Sequence, residues 1–190
     1  GLMGILLMMV CGALPALNIV AEKETGTIEA INVAPVGKFS FIMAKLIPYW
    51  FLGLIVMTIC FVLAWLVYGI TCVGSLGWVY LLALLLAFCF SGFGLVISNY
   101  NQTMQQAMFV LWFFLVVLML MSGLFTPVRS MPRWAYLTTF VNPVSYFIEG
   151  IRTVFVRGGD FQSILPQLLG LLVFALFFDT WAILSYRKNE

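Results

Sequence analysis

Chemistry in this chain has to come from few side chains: among 190 residues there are nine lysines and arginines, seven aspartates and glutamates, and no histidine. The densest charged group is Glu22-Lys23-Glu24, followed in the same stretch by Gly26, Thr27, Glu29 and Pro35. Thr27 is placed to N-cap a short helix, Glu29 then falls in the first turn where the macrodipole favours an acid, and Pro35 ends it. With Ile28, Ile31 and Val33 as its apolar side, the stretch reads either as a short amphipathic helix offered to a soluble partner or as a solvated loop with a fortuitous cap. A second group comprises Pro127, Met131, Pro132, Asn142, Pro143, Glu149 and Arg152. Glu149 and Arg152, three residues apart, are set to pair on one helix face. A lone acid, Asp179, interrupts an apolar run, a costly position that marks an interfacial anchor or a substrate contact.

These groups make no enzyme. Without histidine there is no imidazole base, no Ser-His or Cys-His nucleophile and almost no route to a zinc or haem site. An aspartyl mechanism needs two adjacent carboxylates, and Asp160 falls in a loop far from Asp179. No GxxxxGK[ST] stretch occurs, so the chain is expected to bind neither ATP nor any other cofactor itself. Cys11, Cys60, Cys72 and Cys89 form no CxxC and pass for small hydrophobes, and the ten methionines read as adaptable packing rather than metal ligands. A net charge of +2 without a basic run gives nucleic acid nothing to bind.

The elements that must position these residues are membrane helices. Hydrophobic residues make up 64% of the chain, charged ones 8%, and the mean hydropathy is +1.12, against roughly 45–50% apolar residues in soluble domains. Stretches 2–21, 47–68, 76–98, 104–125 and 164–186 each supply the ~20 apolar residues a span requires. Aromatic residues such as Trp50, Trp65, Trp78 and Trp181 mark their ends, and unbroken apolar runs exclude alternating barrel strands. Ala83, Ala87, Ser91, Gly94 and Ser98 form a small-residue stripe suited to close helix packing. Segments 69–75 and 99–103 make tight hairpins. Within 127–163, Ser130-Met131-Pro132 and Asn142-Pro143 signal two short helix starts. They describe either a hairpin that dips into the membrane and returns or an amphipathic pair lying on its surface. The fold class is therefore all-α: a polytopic membrane helix bundle of five spans plus a re-entrant helical hairpin.

With five spans, Lys23, Lys38, Lys45, Arg187 and Lys188 share one side, and Arg129, Arg133, Arg152 and Arg157 the other. Five against four barely favours the Lys23 side as cytoplasmic.

The stretch EKETGTIEAINVAPV, then a lysine and a long apolar run, resembles the signature of the type-2 ATP-binding-cassette (ABC) exporter permeases. NQTMQQAM, SGLFTPVRSMPRW and NPVSYFIEGIR resemble three further blocks of that family in the same order and spacing. The resemblance implies a transmembrane domain over residues 1–190 that is the C-terminal, membrane-spanning portion of a longer subunit, with a further span ahead of Gly1. It implies a half-transporter that pairs with a second permease half in the lipid bilayer, each docked on a cytoplasmic ABC ATPase that carries the ATP and Mg. Residues 22–36 would be the coupling helix and 127–157 external re-entrant helices, which puts the Lys23 side inside. Closure of the ATPases would then move the spans as rigid bodies and alternate access to a path at the dimer interface. The expected function is export of an apolar or amphipathic substrate, such as a drug or lipid-like molecule, across the bacterial cytoplasmic (inner) membrane. A passive channel or ion-coupled transporter is the alternative, and only Asp179 could serve it.

Overall fold

The computed structural model describes residues 2–186, apart from the side chains of Ile28, Asn32 and Lys38. Arg187 and Lys188, counted above on the Lys23 side, lie outside the described residues. The chain is a bundle of α-helices, with no strand among the described residues.

Helix α1, Leu2–Glu24, carries no charge until its last turn. It contains a π segment, Met9–Ala13, closed by Leu14 N–H to the Met9 carbonyl. Pro15 follows at once; it lacks an N–H, and its ring crowds the carbonyl four residues back, so the turn ahead of it widens. Glu22, Lys23 and Glu24, expected to open the connecting segment, instead form the final turn of α1. After Gly26 comes α2, Thr27–Val33. Thr27 is not its N-cap: Gly26 holds that position at φ 78°, and no side chain caps the helix. The reversal between α1 and α2 demands a left-handed residue, which only glycine supplies without strain. Ala34 is extended ahead of Pro35, as a residue before proline must be, and α2 stops there.

Helix α3, Lys38–Tyr68, has 31 residues and begins nine residues before the expected span. Gly69, at φ 62°, ends it with N–H bonds from Gly69 to the Trp65 carbonyl and from Ile70 to the Ala64 carbonyl, a closure through a left-handed glycine. Helix α4, Leu76–Tyr100, occupies the centre: 78% of its apolar window is buried, against 11% for α3. It touches α1, α3, and the helices α5, α7 and α8 defined below. The small-residue stripe is its contact face, with Ala83, Ala87, Ser91, Gly94 and Ser98 all buried.

Helix α5, Met104–Leu120, has 17 residues and does not run to Phe125 as expected. Ser122 Oγ donates to the Met119 carbonyl at 2.6 Å and Gly123 takes φ 83°, which turn the chain although the sequence stays apolar. Four helices, α1, α3, α4 and α8, are thus long and apolar enough to cross a membrane, with α5 a shorter apolar helix beside them.

The segment after α5 forms a 3-10 turn, Val128–Ser130, then α6, Arg133–Thr139, and α7, Pro143–Ile151, which continues into a π turn, Arg152–Val156. Ser130 does not cap α6; its hydroxyl donates to the Pro127 carbonyl within its own turn, and Pro132 stands at the N-cap. Asn142 and Pro143 behave as their types require: Asn142 Oδ1 accepts the Val144 N–H at 3.0 Å and Pro143 opens α7. Helix α8, Phe161–Ser185, returns along α4.

Successive long helices run antiparallel, which leaves two ends. At one, residues 69–75 meet the π turn, with Val73 N–H to Phe155 O and Gly74 N–H to Val154 O at 3.2 and 3.1 Å. At the other lie Glu24, α2, the start of α3, the α4–α5 turn and the end of α8.

Candidate functional site

The α2 end is built on the last turn of α1. Lys45 on α3 pairs with Glu22 Oε1 and donates to Asn18 Oδ1 at 3.1 Å. Asn18 and Glu22 are four residues apart, so they share a face of α1. Lys23 Nζ donates to the Ser98 carbonyl, one of the last four of α4 that lack an intrahelical partner. Glu24 Oε2 accepts the Met104 N–H at 2.9 Å, the first donor of α5. Asn99 Nδ2 reaches the Ala182 carbonyl and Ser185 Oγ at 3.1 and 2.8 Å, closing α4 on α8. Just past α8, burial and the nearby Glu22 carboxylate push the Tyr186 phenol up from its ordinary pKa.

On this base α2 stands free. Thr27, Glu29 and Ala30 are exposed, Val33 is 86% exposed, and Pro35 and Phe39 are exposed beyond it. Val33 and Phe39 thus leave apolar surface open at the polar end of the bundle. The sequence-stretch around Glu22 thus divides in two: Glu22, Lys23 and Glu24 face neighbouring helices, whereas Gly26, Thr27, Glu29 and Pro35 belong to the outward knob.

At the opposite end α7 is inside the protein. Pro143, Val144, Phe147 and Ile148 are buried, and the Phe147 ring lies so close to α1 that a Cβ on Gly4 would be 3.1 Å from it. Asn142, 2% exposed, uses both ends of its amide: Nδ2 donates to the Leu118 carbonyl at 2.7 Å while Oδ1 caps α7. Ser145 Oγ adds a bond to the Ser122 carbonyl at 3.1 Å. Glu149 meets Arg152 at 4.0 Å, as its spacing predicted, and also Arg157 at 3.7 Å. Pro127, Pro132 and α6 are peripheral, and Trp134, Leu137 and Phe140 are exposed while Ala135 and Thr139 are buried.

Asp179 faces Gly92 of α4. The two helices cross so tightly that a Cβ on Gly92 would meet the Asp179 carboxylate, and would lie 2.8 Å from its backbone nitrogen. Gly92 is eight residues before the end of α4 at Tyr100, about two turns.

Two recesses escaped sequence reasoning because each brings in a helix distant in the chain from the others. Between α1 and α5 lies an apolar groove of about 470 Å³, lined by Met8, Met9, Leu14, Met108, Trp112 and Met119 among others. Between α4, α5 and α8 lies an aromatic recess of about 460 Å³ that includes Phe93, Tyr100, Phe114, Phe178 and Trp181. No cluster of metal-ligating side chains occurs among the described residues.

A multi-pass helical membrane protein with a short exposed helix, α2, at one end and a short buried helix, α7, at the other is the architecture so defined. The sequence profile of the ABC-2 type transporter family matches residues 1–156, and the chain belongs to that family. It is 27% identical over 174 residues to the protein named "Probable multidrug ABC transporter permease YbhR" of Escherichia coli (strain K12). From the same strain, "Probable multidrug ABC transporter permease YbhS" is 30% identical over 181 residues, and "Inner membrane transport permease YhhJ" 29% over 175. These alignments take in 92%, 93% and 90% of this chain but 47%, 48% and 46% of the relatives, so the chain spans about half the length of the curated relatives it matches. No solved structure matches it.

Proposed function

We propose that this chain is the membrane-embedded part of a permease subunit of an ABC exporter, and that α2 docks on a separate ABC ATPase. The observation that carries this is the exposed α2 knob, seated on a base tied to α3, α4, α5 and α8. Family membership supplies the context: an ABC transporter needs ATP hydrolysis, and relatives named as permeases support placing it on a partner. The ATP and Mg sit on that partner. A second permease half, in a homo- or heterodimer, completes the path.

The re-entrant assignment of residues 127–157 is supported by the burial of α7 and the bonds of Asn142 and Ser145, because non-spanning backbone at membrane depth must be satisfied by protein. The proposed substrate is apolar or amphipathic, such as a drug or lipid-like molecule, and the nearly uncharged α1–α5 groove is the surface that suits it. Relatives named as multidrug and inner membrane permeases support export across the bacterial inner membrane. Asp179, against Gly92 and outside both recesses, is assigned to helix packing rather than to substrate.

Co-purification of the complete protein with a P-loop ATPase, together with vanadate-sensitive hydrolysis, tests the docking role. Val33→Asp and Glu29→Lys, both on the open face of α2, should each abolish association. Unchanged association in both would overturn it.

A further inference from the structure

The three charges at the end of α1 each meet a different helix. Successive residues on a helix point about 100° apart, so Glu22, Lys23 and Glu24 together sweep about 200° of its circumference. Each also matches what it meets. Glu22 finds the ammonium of Lys45 on α3. Lys23 finds the carbonyl end of α4, its negative pole, and Glu24 the amide end of α5, its positive pole. Those two poles are adjacent because residues 101–103 alone join the helices. Exchanging Lys23 and Glu24 would set both charges against the wrong pole.

We propose that Glu22, Lys23 and Glu24 are positioning residues, a bracket that fastens the root of α2 to α3, α4 and α5, so that a push on α2 reaches all three helices as a single rigid body. One charged atom of each is bonded within the chain, and the three do not form the ATPase contact. The inference rests on the reading of α2 as the docking helix and sharpens it: the ATPase touches Thr27 to Val33, and the bracket passes the motion on. Neither Glu22 nor Glu24 can be recognised as part of it from sequence spacing, since Lys45 and Met104 lie 23 and 80 residues away.

Spin labels at Ala34, which follows the last residue of α2 and lies outside the ATPase contact, and at the exposed Gln105 report the distance between the end of α2 and the base of α5. Cys60 and Cys72 are first replaced by serine, leaving the buried Cys11 and Cys89. In the complete permease–ATPase complex the distance should be the same in the nucleotide-free and vanadate-trapped states. Lys23→Met and Glu24→Ala should retain the ATPase yet lose the fixed distance, with a broadened distribution that shifts on trapping. Lys23→Arg should keep it. Glu22→Lys and Lys45→Glu should each lose it, and the double exchange should restore it. A distance that changes on trapping in the unaltered protein overturns the bracket without recourse to any variant. So does a distance that stays fixed in Lys23→Met and Glu24→Ala. If Val33→Asp leaves the ATPase bound while the distance is fixed, the docking role fails and the bracket stands. If Val33→Asp releases the ATPase but the unaltered distance moves, docking stands and the bracket fails.

Discussion

Gly12 and Gly94 bring the backbones of α1 and α4 into contact: a Cβ on Gly94 would press into the Gly12 carbonyl oxygen, and one on Gly12 would lie 3.2 Å from the Phe90 carbonyl oxygen. Neither neighbour is a flexible side chain, so no rotamer change can make room. Gly94→Ala should therefore destabilise the bundle by about 1–3 kcal/mol, the usual cost of overpacking a filled core. Thermal unfolding in detergent would register it as a lowered midpoint. An unchanged midpoint would mean that α1 can shift away, and that the π segment is not held against α4.

Asn142 performs two tasks with one amide, and two substitutions separate them. Asn142→Ser keeps a neutral acceptor for the Val144 N–H but is too short to reach the Leu118 carbonyl, whereas Asn142→Ala loses both. Loss of the cap alone costs about 1 kcal/mol, and loss of the second bond leaves a buried carbonyl unpaired at about 1–3 kcal/mol. Alanine should thus be the more damaging, read as faster proteolysis or hydrogen exchange across residues 121–145. Equal behaviour of the two variants would show that the cap adds nothing.

Gly26 allows α2 to fold back from α1 because its φ is 78°. Gly26→Ala should strain that turn by about 1–2 kcal/mol, and Gly26→Asn by less, since asparagine visits the left-handed region more readily. With ATPase association as the readout, the order glycine, asparagine, alanine is expected. An alanine variant that binds as well as the parent would mean that the turn is not what orients α2.

Filling the α1–α5 groove tests whether it receives substrate. Leu14 lines it and is 46% exposed, so Leu14→Trp adds bulk to the groove without crowding the core. Unfolding should be little changed, while stimulation of ATP hydrolysis by lipophilic dyes should need higher dye concentrations. An unaltered dye dependence would remove the groove from the path.

Much of this fold was legible because the information was local. Apolar runs located α1, α3, α4 and α8, and Asn142-Pro143 announced the start of α7 because cap and proline act within three residues. Local signals also misled. Thr27 is a good cap by type, but the reversal out of α1 needed φ > 0 and Gly26 took the position. Hydropathy carried α5 on to Phe125, although Ser122-Gly123 held a turn signal that an apolar window does not weigh. The Pro15 ring was visible as a residue, yet its effect, a widened turn at Met9–Ala13, depends on room beside Gly94. Least legible were the partners of Glu22, Lys23 and Glu24. Three charges beside a span read as a solvent-facing cluster unless the packing of distant helices around them is known.

The two ends of the bundle are held by different kinds of chemistry. Residues 69–75 join the π turn after α7 through main-chain groups, Val73 and Gly74 donating to Phe155 and Val154, and among these four only Gly74 is fixed by type, since a Cβ there would lie 2.6 Å from the Val154 oxygen. The opposite end is held by side-chain charge at Glu22, Lys23, Glu24 and Lys45. Side chains at the Gly74 end can therefore be exchanged residue by residue, Gly74 apart, while its main-chain seam stays closed. At the α2 end each tie runs through a side chain, so a single substitution removes it.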